Sequence, residues 1–405
     1  MASMPTASDR TADPRLMTVA LAALTAVAPM ATDIYLPGMP ALAADLGVPA
    51  AGAQLTLSAF FFGFGGGQLI YGPLSDRFGR RPLMFAGLSL FTAASLGCAL
   101  AQSLGALLVL RCLEALGGAA GPVLARAAVR DLYGGDRAAR MLSTMVLVMG
   151  AAPLFAPLVG GQLVLLGGWR ANFWALTGFG ALCLVAILLV LGETLPPERR
   201  LRASAVGMIR SYGTLLTDRR YLGFALGGGA VYGGLFAYLT GTPFVFITLY
   251  GVPPEHFGFL FALNVAGLML GASINRRLVL RLGAHRLLGR ALIGAALAGC
   301  ALLAVVLVGR GGLVALFVPL WCFIASLGFV GANAMACGLS LYPERAGTAS
   351  ALSGTLQFGI GALCGALVGA FNDGSALPMA AVICAAGLTG LAIQRRLAPY
   401  RSERA

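Results

Sequence analysis

Three ionisable side chains stand inside long apolar runs of this sequence: Asp33, Arg111 and Glu114. An ionised group near the middle of a helix in lipid costs about 2.5–3.5 kcal/mol, so its presence points to a task other than packing. The chemistry such a set can do is proton exchange. A carboxylate that trades an arginine for water or a ligand changes its proton affinity, so it can load on one side of a barrier and unload on the other. Arg111 and Glu114 are three residues apart and share a helix face, while Asp33 comes from a separate segment. Either carboxylate fits the carrier role. The competing reading is a static pair, in which one of them neutralises Arg111 and locks the fold. The two histidines, His256 and His285, fall outside the apolar cores. No metal triad, nucleophile elbow or phosphate loop is present in the sequence, so neither an enzyme nor a metal or cofactor is expected.

The elements that must position these groups are membrane helices. With 59% hydrophobic and 11% charged residues and a mean hydropathy of +0.86, the chain has too little polar surface to cover a water-soluble globule. Twelve windows are long and apolar enough to span a bilayer. All 28 basic residues are arginine. With the N-terminus in the cytoplasm, all of them except Arg111, Arg170 and Arg310 fall in or beside cytoplasmic segments, so both termini are expected there. The net charge of +13 therefore reads as attraction to anionic lipid rather than to nucleic acid. Residues 16 to 31 carry an Ala-Val-Ala resembling a signal-cleavage site, but the apolar run continues to Leu36 and reads as a retained first span. The eight cysteines all lie in apolar runs, without paired spacing, and read as packing residues. Trp169 and Trp174 are expected to anchor at the membrane interface.

Between the second and third apolar runs lies a dense turn, Gly72-Pro73-Leu74-Ser75-Asp76-Arg77-Phe78-Gly79-Arg80-Arg81. Its skeleton returns in weaker form at Gly271 to Asn275-Arg276, the trace of a duplicated half. The expected division is a cytoplasmic tail at 1–15, a first six-helix bundle at 16–192, a linker at 193–217, a second bundle at 218–396 and a tail at 397–405. This turn resembles the signature of the major facilitator superfamily. Asp33-Ile34-Tyr35-Leu36-Pro37, Glu193-Thr194-Leu195-Pro196-Pro197-Glu198-Arg199-Arg200 and Ala346-Gly347-Thr348-Ala349-Ser350 narrow the resemblance to its bicyclomycin- and chloramphenicol-resistance group of bacterial drug:proton antiporters.

The resemblance implies an all-α integral membrane protein whose two pseudo-symmetric bundles of six helices surround a central cavity. It implies a conformational switch at Gly72, Asp76, Arg77, Gly79 and Arg80, paired with Arg126, Arg130 and Asp131 at the end of the fourth span. Asp76 would face the start of the eleventh span near Thr348 when the transporter opens outward. An antiporter motif is implied in the fifth span by Gly150, Pro153, Pro157, Gly160 and Gly161, with Ala156 where the family usually has glycine. In the fourth span the family usually carries glutamine three residues after the arginine; here Glu114 stands instead.

A mixed aromatic and amide wall, Tyr35, Phe61, Tyr232, Phe236, Tyr238, Asn264, Asn333 and Gln357, suits a partly apolar substrate. The expected function is proton-coupled efflux of small amphipathic antibiotics by alternating access across a bacterial plasma membrane. The expected carrier is a monomer whose partners are the substrate, protons and the bilayer. The alternative is a proton-linked carrier of a small metabolite such as an amino acid, peptide or nucleoside.

Overall fold

The computed structural model describes residues 14–200 and 205–399. Twelve spans run through it. The first is Pro14–Asp33 and the second Ala50–Phe78; the third is Arg80–Leu100, and the fourth is Leu104–Gly118 continued by Ala120–Leu132. The fifth and sixth are the two limbs of a continuous Gly135–Leu189 stretch, broken where Gly167 and Gly168 leave helical geometry. Arg219–Thr242, Pro254–Leu282, Ala284–Val308, Gly312–Ser340, Ala346–Ala370 and Leu377–Leu397 are the seventh to twelfth. Ten of the helical segments are long and apolar enough to cross a membrane. The sixth span is hidden in the merged stretch, and glycine and polar residues dilute the second. The chain is thus an integral membrane protein of many spans.

The packing has the symmetry that the repeated turn implies. In the first half the second, third and first spans pack on the fourth, and the third packs on the sixth. In the second half the eighth, ninth and seventh pack on the tenth, and the ninth on the twelfth. Across the molecule the second span lies along the eleventh, and the fifth along the eighth.

The halves touch at their periplasmic ends and middles. Gln54 Nε2 donates to the Thr240 carbonyl at 3.2 Å, and Asn372 Nδ2 donates to Gln54 Oε1 at 3.2 Å. Further toward the cytoplasm, Thr355 Oγ1 donates to the Gly65 carbonyl at 2.9 Å. Beyond that point, among the described residues, no hydrogen bond or ion pair joins residues 72–81 to residues 343–350. Among the described residues, the hydrogen bonds that join the halves thus lie on the periplasmic side and in the middle of the molecule.

Candidate functional site

The first span ends at Asp33 because Pro37 has no N–H to give to the Asp33 carbonyl. The chain continues through a short turn at Leu36–Gly38 into a periplasmic helix, Met39–Asp45. Among the described residues the Ala31 carbonyl at this end receives no backbone donor. Arg111 supplies the missing bonds from the fourth span: Nη1 and Nη2 each donate to it at 3.2 Å. Nη1 also donates to Glu114 Oε2 at 2.6 Å, and Ser95 Oγ donates to Glu114 Oε1 at 2.8 Å. Arginine and glutamate are both completely buried.

The rings of Tyr35, Phe60 and Phe173 surround the guanidinium with centroids 4.3, 4.5 and 5.5 Å from Cζ, an arrangement that stabilises a desolvated cation by about 2 kcal/mol. Tyr35 is held in turn by Thr56, its Oη 3.1 Å from Oγ1. Asp33 stands apart from this pair. It is 4% exposed and accepts a bond from Thr32 Oγ1 at 2.8 Å, and among the described residues it has no ion-pair partner.

This geometry makes Glu114 the counter-charge of Arg111. Removing one partner of a buried pair typically costs about 3–5 kcal/mol, because the other charge is left uncompensated. Glu114→Gln is expected to lower the stability of the purified protein by about that amount. A double change, Arg111→Met with Glu114→Leu, should recover most of it. Thermal melting in detergent reads both.

The proposed substrate wall divides. Phe61 meets Phe236 and Phe358 across the two halves, with centroids 4.2 and 6.2 Å away, and Phe64 lies 4.6 Å from Phe358. These rings form an apolar floor in the middle of the molecule. Tyr232 and Gln357 line a groove with Phe224, Ser353 and Met335 on the second half. Tyr238 stacks on Phe261 at 5.6 Å, and among the described residues neither its buried hydroxyl nor the buried Asn264 carbonyl oxygen has a hydrogen-bond partner. Asn333 instead ties two helices together, donating to Asn275 Oδ1 at 2.7 Å. Tyr35 belongs to the cage around Arg111.

At the cytoplasmic turn, Gly79 adopts φ +100°, a conformation open to glycine and strained for other residues, and it ends one helix directly before the next. A Cβ there would also lie 2.3 Å from Glu193 Oε2. Arg80 is the hub. Its Nη1 donates to Asp76 Oδ1 at 2.5 Å and to Ser75 Oγ at 2.6 Å. Its Nε donates to Asp131 Oδ2 at 2.9 Å, and its backbone N–H to Glu193 Oε1 at 2.9 Å. Arg77 lies over Phe78. Arg126 does not join the network but turns back on its own helix, donating to the Pro122 carbonyl at 2.9 Å. Arg130 is exposed, and Gly72 has open space around it.

In the fifth span the motif glycines do separate work. A Cβ on Gly160 would lie 1.7 Å from the Ile34 carbonyl oxygen, next to Asp33. One on Gly161 would lie 2.6 Å from the Pro254 carbonyl oxygen of the other half. Gly150 meets nothing within 4 Å, while Pro153 and Pro157 lie within the helix. Trp169, unlike Trp174, is not an exposed anchor. It is 3% exposed and donates from Nε1 to Asp45 Oδ2 at 3.1 Å, beside the Asp45–Arg170 ion pair.

Ser95, Gln54, Glu193 and Phe358 complete these networks and were not singled out as site residues from sequence. A glutamine in an apolar run was a usable signal for Gln54. Ser95 carries no such mark, since small polar residues are common in membrane helices.

Two pseudo-symmetric halves of membrane-spanning helices that meet on a shared aromatic floor define a membrane transporter. The model described as Major Facilitator Superfamily matches residues 21–366, and the chain belongs to that family. It is 36% identical to the uncharacterized MFS-type transporter YdgK of Bacillus subtilis, over 95% of each chain. It is 32% identical to the bicyclomycin resistance protein homolog of Haemophilus influenzae, over 89% of this chain and 90% of the relative. In fold it is similar to the xylose transporter XylE from E. coli in a partially occluded inward open conformation. There the TM-score is 0.73 at 13% identity, with 96% of this chain and 99% of the other covered.

Proposed function

We propose that the protein exports small amphipathic antibiotics, of the bicyclomycin, phenicol or sulfonamide kind, in exchange for protons, and performs no covalent chemistry on them. The observation that carries this reading is Asp33, a buried carboxylate that is outside any ion pair among the described residues, at the broken end of the first span. The Arg111–Glu114 pair, which is bonded to the Ala31 carbonyl two residues earlier, is neutral overall. Asp33 is therefore the proton carrier, and Arg111 with Glu114 holds the end of the first span in position. The similarity to a bicyclomycin resistance protein homolog supports the substrate class.

Substrate enters from the cytoplasm above the aromatic floor, with Tyr232, Gln357, Tyr238 and Asn264 offering polar groups to it. The halves, residues 16–192 and 218–396, then rock about the second–eleventh and fifth–eighth span contacts. The Gly72–Arg81 turn meets the start of the eleventh span only in the opposite, outward-open state. One chain suffices for this cycle. Each inward proton supplies about 2.3 kcal/mol per 100 mV and about 1.4 kcal/mol per pH unit.

The test is substrate-triggered proton release from purified, reconstituted protein, screened with those three compound classes. Release by at least one class is expected. Silence with all three, but release with an amino acid, peptide or nucleoside, would replace drug export with metabolite transport.

A further inference from the structure

At the cytoplasmic ends of the ninth and twelfth spans lies a cavity of about 380 Å³ whose lining includes His285, Arg286, Arg290, Ile293, Leu391 and Arg395. Three guanidiniums and an imidazole meet two aliphatic side chains. Among the described residues no carboxylate lines it, and neither Arg290 nor Arg395 forms an ion pair. Its wall is organised. Gln394 is 4% exposed and donates to the Ala398 carbonyl at 3.0 Å, with its Nε2 3.2 Å from His285 Nε2. His285 Nε2 is itself 3.2 Å from that carbonyl, and its ring stands edge-on to Phe224 at 5.3 Å.

The internal symmetry of the molecule gives this corner its meaning. The third and sixth spans are the counterparts of the ninth and twelfth, and Gly79 and Gly283 begin the corresponding helices with positive φ. In the first half, Arg81 Nη2 donates to the Leu188 carbonyl at the end of the sixth span, as His285 reaches Ala398 at the end of the twelfth. There the corner is neutralised from within. Glu193 accepts bonds from the backbone N–H groups of Arg80 and Leu195 at 2.9 and 3.0 Å and lies 3.8 Å from Arg200. In the second half the basic corner recurs, and among the described residues a cavity stands where the first half has its carboxylate.

We propose that this corner binds the phosphate of an anionic phospholipid headgroup. Guanidinium groups grip phosphate oxygens with two parallel bonds, and basic pockets between helices on the cytoplasmic side are suited to anionic headgroups. A lipid is favoured over a soluble phosphate because the rim continues into apolar surface: Ile293 is 39% exposed on the same face as Arg286 and Arg290. The acyl chains run along the two spans below it.

The full-length protein in detergent is titrated with phosphatidylglycerol and separately with phosphatidylcholine, and bound lipid is counted by native mass spectrometry. The expected result is one phosphatidylglycerol retained with about tenfold preference over phosphatidylcholine. Arg290→Gln with Arg395→Gln should erase that preference, and Arg137→Gln with Arg140→Gln, an equal loss of cytoplasmic charge elsewhere, should keep it. If the glutamine pair fails to fold, Arg290→Lys with Arg395→Lys keeps the charge but loses the two-pronged grip, and should weaken the preference. A preference that survives both corner variants, or that is lost equally in the control, overturns the proposal. Displacement of the lipid by excess inorganic phosphate would make the corner a soluble-anion site and overturn it as well.

Discussion

Asp33→Asn is expected to reduce proton-driven export in proteoliposomes to the level of empty vesicles while leaving the fold and substrate binding intact. Asparagine has nearly the shape of a protonated aspartate, and among the described residues the Asp33 carboxylate has one hydrogen bond, from Thr32, that an amide oxygen can also accept. On the proposed role of Asp33, the variant is a carrier held permanently in its loaded form. Glu114 is not expected to take over. Its two oxygens are committed to Arg111 and Ser95 at 2.6 and 2.8 Å, and protonating it would strand a guanidinium that has no access to water. That costs about 3–5 kcal/mol, against about 1.4 kcal/mol supplied by each unit of pH gradient. The check is dye-reported proton movement together with substrate uptake into inverted vesicles across a range of pH. An unchanged pH profile in Asp33→Asn would remove Asp33 from the carrier role. Loss of the pH response in folded Glu114→Gln, with Asp33 intact, would transfer the role.

The sequence displays the charges of this site far better than their pairing. Asp33, Arg111 and Glu114 stand out because lipid makes charge expensive, and that cost is a property of single positions. Which carboxylate neutralises Arg111 depends on helix rotation and depth, and these depend on packing. The spacing of Arg111 and Glu114 permits their contact, but only the placement of the first span's end shows why Arg111 is also needed there: it caps the Ala31 carbonyl. The turn at residues 72–81 was legible for the same reason as the charges, since its glycine and ion-pair chemistry is local. Its tie to Glu193, 113 residues away in sequence, was not. The aromatic wall was legible only as composition. Phe61 and Phe236 meet across the halves, whereas Tyr35 and Asn333 are engaged within one half each, and residue type cannot tell these fates apart. The twelve-span count survived the weak signal of the second span because arginine placement fixes the hairpins independently of hydropathy.

Close backbone approach makes the fifth span sensitive to small additions. Gly161→Ala puts a methyl group 2.6 Å from the Pro254 carbonyl oxygen and 3.0 Å from Glu255 Cα. Both neighbours are backbone and belong to the opposite half, so the contact is relieved only by parting the halves at the periplasmic side. Overpacking of this kind costs about 1–3 kcal/mol. Two conformations that interconvert during a transport cycle differ by a few kcal/mol, so the cost is enough to move the population. Gly160→Ala acts differently. Its methyl would lie 1.7 Å from the Ile34 carbonyl oxygen, within the first half, and must push the end of the first span and Asp33 out of place.

Spin labels at Ser103→Cys and Asp373→Cys, in a background without the eight native cysteines, report the periplasmic separation of the halves. Gly161→Ala should shift that distance distribution to longer values and slow transport. Gly160→Ala should abolish proton coupling with a smaller shift in distance. Full transport and an unchanged distance in Gly161→Ala would show that the fifth and eighth spans do not form the periplasmic seal. In that case Gln54, bonded to Thr240 and Asn372, would be left to hold it.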